Sequence, residues 1–440
     1  MKISRILHAG YIFESGGSQI IFDPIFENPF SGNCYAYPNV QFDHIQIKKL
    51  KPDAVFISHY HDDHCSLESL QYLDRNTKIY LYCFYEELFL MLRELGFLNV
   101  QSLQTNVPVK VGSFEIIPRL ALDADVDSIF HIKAEGLNVL NVVDAWIDPS
   151  AMSKLTQNYW DIILWPFQTM REIEVISPSL AQPAELPTEW IEQLKILNPK
   201  IIVPSSCQFI QEEWSWYRKA YFPISYQCFQ NEIQKALPNS KVQRLNPGTA
   251  IELDKTEIKQ SPSLPWITPI GEQNVDYQYD PHFIPPSTAE IAKNFPALSV
   301  SQTQRVFNYC EKDLFDKYNA MSTELSGQWK LVLYNHLGQA HCFYYELQNG
   351  LIKLAKENPS FSWITEVPLL KLYLALEEGE TLSSMYLRMQ GMPFQNIEED
   401  PLVACLFNDV FGSYQRNQLK KLLVNTSDKI TNHSQHVVTN

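Results

Sequence analysis

Residues 54–64 read Ala54-Val55-Phe56-Ile57-Ser58-His59-Tyr60-His61-Asp62-Asp63-His64. The first four are apolar and end in a polar cluster, the pattern of a short strand running into a loop. From Leu67 the apolar residues recur at helical spacing, so the loop joins a strand to a helix. Three imidazoles and a carboxylate are thereby concentrated on one short connection. Neutral imidazole nitrogen with a hard carboxylate oxygen is a ligand set for borderline divalent metals. His59 and His61 alternate along an extended loop and can point the same way. Asp63 and His64 can then face a second metal position beside the first. The competing reading is a polar strand end or a degenerate site.

Working outward, residues 1–255 alternate short β-branched or aromatic runs with turn signals. ILHAGYIFES, SQIIFDPIF, KIYLYCF, FEIIPRL, IFHIKA, LNVLNVVDA, DIILWPF and KIIVPSS all read as strands. SLESLQYLD, YEELFLMLRELGF and a segment near Glu189–Leu197 carry helical periodicity. Many strands with few helices predict stacked sheets flanked by helices rather than a strict βαβ repeat. Residues 256–286 are rich in Pro and polar residues and read as a linker or a wrapping arm. Residues 287–415 read as a small α+β domain. It opens at a Ser287/Glu290 helix start and carries the apolar helix PLLKLYLALEEG, with Pro368 in its first turn and Gly379 at its end. Residues 416–440 read as a polar tail.

Composition narrows the function classes. Apolar residues are 45% and charged residues 19%, which describes globular domains rather than disorder. The net charge of −15 argues against a nucleic-acid partner, which needs a basic face. No window is apolar enough for a transmembrane segment, and the N-terminus lacks a signal-peptide h-region. The 8 cysteines are sparse and form no CxxC, which points away from a disulfide framework and toward a cytoplasmic location. The sequons at Asn425 and Asn432 are then chance matches. There is no GxSxG, Walker loop or GxGxxG. Trp214, Trp216 and Tyr217 form an aromatic cluster suited either to a pocket mouth or to packing.

The HxHxDH loop after an apolar strand resembles the hallmark of the metallo-β-lactamase superfamily, over roughly residues 1–255. The resemblance implies an α/β fold, an αββα sandwich, with the smaller α+β domain appended. LHAGYIFES with His8 and IIFDP with Asp23 are similar to the opening strands of the lactonase-like and phospholipase-D-like branch. Asp144, at the end of LNVVDA, matches the Asp that bridges two metals. More narrowly, ISHYHDDH, Asp127-Ser128, IILWPF, KIIVP-SSCQF and LNPGTAIEL follow one another as in the branch of the CMP-N-acetylneuraminate hydroxylase. The implied metal ligands are His59, His61, Asp63, His64 and Asp144, with His8 and Asp23 standing behind them. One or two divalent ions are implied, zinc first, with iron or manganese as alternatives.

Two departures stand out. The usual third His of the first metal is missing from PRLALDADVDSIFH, which offers Asp123, Asp125, Asp127 and His131. His131 falls in a strand interior, where a structural role is expected. The usual fourth His is replaced by Ser205, Ser206 and Cys207. The oxygen-richer shell tilts the preference toward iron or manganese. No cysteine begins a CxH or CxxH, so the chain lacks the Rieske centre of the hydroxylase it resembles.

The C-terminal domain is similar, more faintly, to sterol-carrier-type domains; a packing or self-association domain that makes a homo-oligomer is the plainer expectation. His341 and Cys342 lie beside aromatics on a strand, where a core role is expected over a ligand pair. The functional expectation is a metal-dependent hydrolase of a small-molecule ester, lactone, amide or phosphodiester, with Asp63 as the catalytic group that handles the proton of a metal-activated water. The alternatives are an iron-dependent oxygenase served by an external reductase and a non-catalytic binding module.

Overall fold

The computed structural model describes residues 1–167, 185–206, 209–215, 224–254, 257–278, 284–321, 323–355, 360–391, 397–407 and 415–424. Cys207, Trp216, Tyr217 and the sequons at Asn425 and Asn432 lie outside the described residues.

Alternation along the apolar strands builds two stacked sheets. In Ser18–Phe22, Ile20 and Phe22 point into one apolar cluster while Ile21 points into another. Ala54–Ile57 divides in the same way, with Ala54 and Phe56 on one face and Val55 and Ile57 on the other. Such strands are buried on both faces, and so read as continuous apolar runs. Phe22, Phe56 and Phe130 pack together between the sheets, with Phe22 4.9 Å from Phe130 and 5.2 Å from Phe56. The first sheet has eight strands, ordered Ile258–Ser261, Ala250–Leu253, Lys2–Arg5, Tyr11–Ser15, Ser18–Phe22, Ala54–Ile57, Lys78–Leu81 and Asn99–Ser102. The second has seven, ordered Lys241–Val242, Ile201–Pro204, Ile162–Trp165, Leu137–Asn141, Ser128–Ala134, Phe114–Leu120 and Val109–Val111.

Helices cover the outer faces. Leu67–Leu70 and Glu86–Glu94 bury Leu67, Leu70, Leu88 and Met91 against Val55 and Ile57. Thr188–Leu197 and Tyr226–Ala236 bury Trp190, Leu194, Phe229 and Ile233 against Ile163 and Ile202. The N-terminal domain is therefore an αββα sandwich of the metallo-β-lactamase type.

Part of the Pro-rich segment wraps this domain. Ile258–Ser261 extends the first sheet, and Ile267–Pro269 pairs with Val40–Phe42. Trp266 anchors it edge-to-face on Phe26 at 5.6 Å. A C-terminal sheet-and-helix domain follows. Its five strands run in the order Leu351–Leu354, Ala340–Gln348, Gly327–Tyr334, Trp363–Pro368 and Arg388–Gln390. Val300–Asn308, Leu314–Asn319, Leu369–Glu377 and Pro401–Phe407 pack on this sheet around Trp329, Tyr345 and Trp363. His341 lies 5.2 Å from the Phe307 ring, while Cys342, its neighbour on the opposite face, is exposed. Every cysteine among the described residues is a free thiol.

The expected polar tail does not begin at residue 416. Residues 415–424 are helical, and Leu419 and Leu422 are buried in the same cluster as Leu88 and Met91. The stretch is polar on average, but leucines three apart give it an apolar stripe, which is what docks it. No helix among the described residues is long and apolar enough to cross a membrane.

Candidate metal centre

Several strand ends meet on one rim of the sandwich. Lys2–Arg5, Ser18–Phe22 and Ala54–Ile57 run in one direction, through antiparallel pairing at Tyr11–Ser15 and parallel pairing beyond it. Their C-terminal ends deliver His8, Asp23 and the His59–His64 loop. In the facing sheet Leu137–Asn141, Ile162–Trp165 and Ile201–Pro204 are parallel and deliver Asp144, Ser205 and Ser206. Asp127 arrives just ahead of the antiparallel strand Ser128–Ala134. Ser128 donates to the Ser58 carbonyl at 2.8 Å, stitching the two sheets together beside the loop.

His64 is the hub. It is fully buried, and its Nδ1 lies 3.1 Å from Asp23 Oδ2. Its Nε2 lies 3.0 Å from Asp144 Oδ2, 3.1 Å from His8 Nε2 and 3.6 Å from Asp63 Oδ2. Asp63 Oδ2 lies 3.3 Å from His8 Nε2. Asp23 in turn accepts from the Ser58 backbone N–H at 2.8 Å and the Ser58 hydroxyl at 2.7 Å. Ser58 Oγ lies 3.0 Å from His59 Nδ1, so one carboxylate orients two imidazoles. Donor atoms of His8, Asp63, His64 and Asp144 converge within 4.8 Å of one another, and so do those of His59, His61 and Asp63. Asp63 belongs to both groups.

Charge matches the geometry. Burial disfavours the imidazolium of His64, yet Asp144 and Asp63 hold it well above the usual histidine range. Burial, then the charges of His64 and His61, pushes His59 well below it. Burial also opposes ionisation of Asp63 and Asp144, but His64 beside them keeps both below the usual carboxylate range. Asp127, 3.5 Å from His59 Nδ1, is pushed up to about 8 by burial and the Asp144 charge. Asp144 Oδ1 is buried with no hydrogen-bond partner among the described residues, an orphan that a cation would satisfy. Imidazole nitrogen and carboxylate oxygen in this proportion fit a divalent ion.

The rim is held under strain. His8, Asp23 and Val143 have φ of 53°, 39° and 63°, in the left-handed region. For the β-branched Val143 this is a costly conformation. Val143 N–H donates to Asn141 Oδ1 at 3.1 Å, and its carbonyl accepts from Ser206 Oγ at 2.6 Å. Ser206 therefore supports the Asp144 turn. Ser205 Oγ accepts from the Tyr11 hydroxyl at 3.0 Å. Arg5 is buried and donates to the carbonyls of His8 at 3.1 Å, Leu245 at 2.8 Å and Ser205. A β-carbon on Gly10 would stand 2.8 Å from the Asp23 carbonyl oxygen, so the turn that presents His8 needs glycine there.

His59, His61, Asp63, His64 and Asp144 are thus brought together. His8 departs from expectation: it stands in the cluster itself, not behind it. Asp127, from the stretch lacking the usual His, reaches His59. His131 points the other way. It is fully buried with Nε2 2.9 Å from Asn138 Oδ1, against Trp160, and burial lowers it to about 4. Glu398 of the C-terminal domain is among the charges acting on His61. A carboxylate so far along the chain carries no local signal.

Residues 2–206 match the family model described as a beta-lactamase superfamily domain. Residues 2–206 thus carry the pattern of a metallo-β-lactamase superfamily domain. Similar solved structures include Igni18, a metallo hydrolase from Ignicoccus hospitalis, 21% identical over 57% of this chain and 99% of that one, with a TM-score of 0.41. An isothiocyanate hydrolase from Delia radicum gut bacteria is 16% identical over 57% and 99% of the two chains, with a TM-score of 0.43. CmlA, a diiron beta-hydroxylase from Streptomyces venezuelae, is 13% identical over 59% of this chain and 54% of that one, with a TM-score of 0.37. No curated protein matches the chain. Within the superfamily domain, the histidine loop follows the strand Ala54–Ile57 and Asp144 faces it from the second sheet.

Proposed function

We propose that the chain is a metal-dependent hydrolase acting on a small-molecule ester, lactone, amide or phosphodiester. His59, His61, Asp63, His64 and Asp144 hold one or two divalent ions, and His8 joins them. The observation that carries this reading is the convergence of His8, Asp63, His64 and Asp144 donor atoms within 4.8 Å, sharing Asp63 with His59 and His61. When bound, a divalent ion lowers the pKa of a coordinated water and polarises the scissile group.

The chain's own residues supply orientation and proton handling. Asp23 grips His64 Nδ1 at 3.1 Å, which aims Nε2 at the other donors. Ser58 extends that grip to His59. Asp63, a quarter exposed at its side chain, faces both donor groups and would orient the attacking water or accept its proton.

The experiment is metal analysis of purified protein, wild type and His61→Ala, with a panel of ester, lactone and phosphodiester substrates. Stoichiometric zinc, iron or manganese in the wild type, and loss of both metal and turnover in the variant, is the expected result. A wild type with no stoichiometric metal sinks the reading. The two-imidazole, two-carboxylate group of His8, His64, Asp63 and Asp144 favours a second reading. Such a donor set suits iron, and an iron-dependent oxygenase fed by an external reductase would show reductant-dependent oxygen uptake. Finding zinc alone removes that alternative.

A further inference from the structure

The strand-to-helix loop that carries the histidines is held from a distant part of the chain. Gln415, 2% exposed, donates from Nε2 to the carbonyl of Tyr60 at 2.8 Å. Tyr60 lies between His59 and His61, so this bond fixes the backbone on which both imidazoles are mounted. The contact spans 355 residues of sequence.

The rest of the segment is docked around that bond. Leu419 and Leu422 enter the apolar cluster beneath the loop, alongside Leu67, Leu70, Leu88 and Met91. The Tyr60 ring packs against the same cluster and meets Tyr85 edge-on at 5.8 Å. Arg416 pairs with Glu87 on the neighbouring helix. Asn417 Nδ2 donates to the Leu376 carbonyl at 3.1 Å and Gln418 Nε2 to that of Gly379 at 3.3 Å, which ties the segment to the C-terminal domain. A second seam runs close by, where Thr381 Oγ1 donates to the Ser31 carbonyl at 2.8 Å.

We propose that Gln415 is a positioning residue for the metal centre, coupling the docking of residues 415–424 to metal affinity. The inference rests on the metal-site reading above and adds to it a control exerted by the C-terminal part of the chain. Its physical basis is reciprocity. If the docked segment favours the loop geometry that binds the ion, the ion favours the docked segment by the same factor. An amide donor on a backbone carbonyl is short-ranged and directional, so a side chain of similar size without the donor removes the hold and keeps the packing.

The test uses the full-length chain stripped of metal. Zinc affinity is measured by competition with a chromophoric chelator for wild type, Gln415→Leu and Gln415→Asn, each with the melting temperature of the metal-free protein. Hydrogen exchange of residues 415–424 is followed in the wild type with and without zinc. Gln415→Leu is expected to weaken zinc binding by about 10-fold while the metal-free melting temperature stays near that of the wild type. Zinc is expected to slow exchange in 415–424. Equal zinc affinity in wild type and Gln415→Leu overturns the inference while leaving the metal site standing. If the leucine variant does not fold, zinc-independent exchange of 415–424 in the wild type overturns it instead. A wild type that binds no zinc, iron or manganese overturns both the site and this control of it.

Discussion

His64 and His131 are both fully buried histidines of one sandwich, yet their surroundings pull their titration in opposite directions. His64 lies on a loop at a strand end, with carboxylates against both nitrogens that draw positive charge to it. His131 lies inside the strand Ser128–Ala134, meets an amide and a tryptophan, and sheds its proton. Burial is the same; the partners differ. A strand end lets side chains from several elements converge, whereas a strand interior commits each side chain to its own layer. Position on the element therefore separates the ligand-like histidine from the structural one.

The sharpest way to break this comparison is to swap the losses. His64→Ala is expected to abolish metal binding, measured by elemental analysis, whereas His131→Gln keeps the metal content of the wild type. Retained metal in His64→Ala would deny it the role of hub. Gly10→Ala comes next, because its β-carbon would stand 2.8 Å from the Asp23 carbonyl and 2.9 Å from that of Leu7. The turn must shift, and we expect loss of most metal binding together with a lower melting temperature. Unchanged metal affinity there would mean that His8 stands outside the ligand set.

Asp23→Asn is a milder probe. It keeps the volume but weakens the hold on His64 Nδ1 and Ser58, and should cost about 10–100-fold in metal affinity by chelator competition. An affinity within twofold of the wild type would show that His64 needs no carboxylate behind it.

The smallest expected effect concerns His131 and pH. Its folded value is about 4 against 6.5 for the free group, so below 6.5 the unfolded chain binds a proton that the folded protein refuses. Its stabilising contribution is whole above 6.5 and is lost as pH falls toward 4. His131→Gln should flatten denaturation midpoints across that window, at a cost of about 1–3 kcal/mol at neutral pH. A variant as acid-sensitive as the wild type would assign that loss to other groups.

Much of the site was legible because it is local. His59, His61, Asp63 and His64 sit within six consecutive residues behind an apolar strand, and adjacent residues stay adjacent in any fold. The stacked sheets followed from many short strand-like runs with few helices between them, and the αββα layering from the family resemblance. His8 was harder, because nothing near it announces that its Nε2 will approach His64, 56 residues away. Asp127 was masked by the equal claims of Asp123 and Asp125. The segment after Arg416 looked like a frayed tail because its average is polar, and only the Leu419–Leu422 stripe betrays its docking.

The sequence by itself determined the strand-loop-helix unit, the kind of donors it carries and the absence of CxH and CxxH pairs. Short-range steric and hydrophobic patterning suffices for those. The tertiary structure alone decided which distant groups complete the cluster. It brought His8 into the cluster and Asp127 to His59, committed Ser206 to the Val143 carbonyl and set Gln415 on the Tyr60 carbonyl. Those outcomes depend on sheet register and layer stacking, which are set by the packing of the whole core.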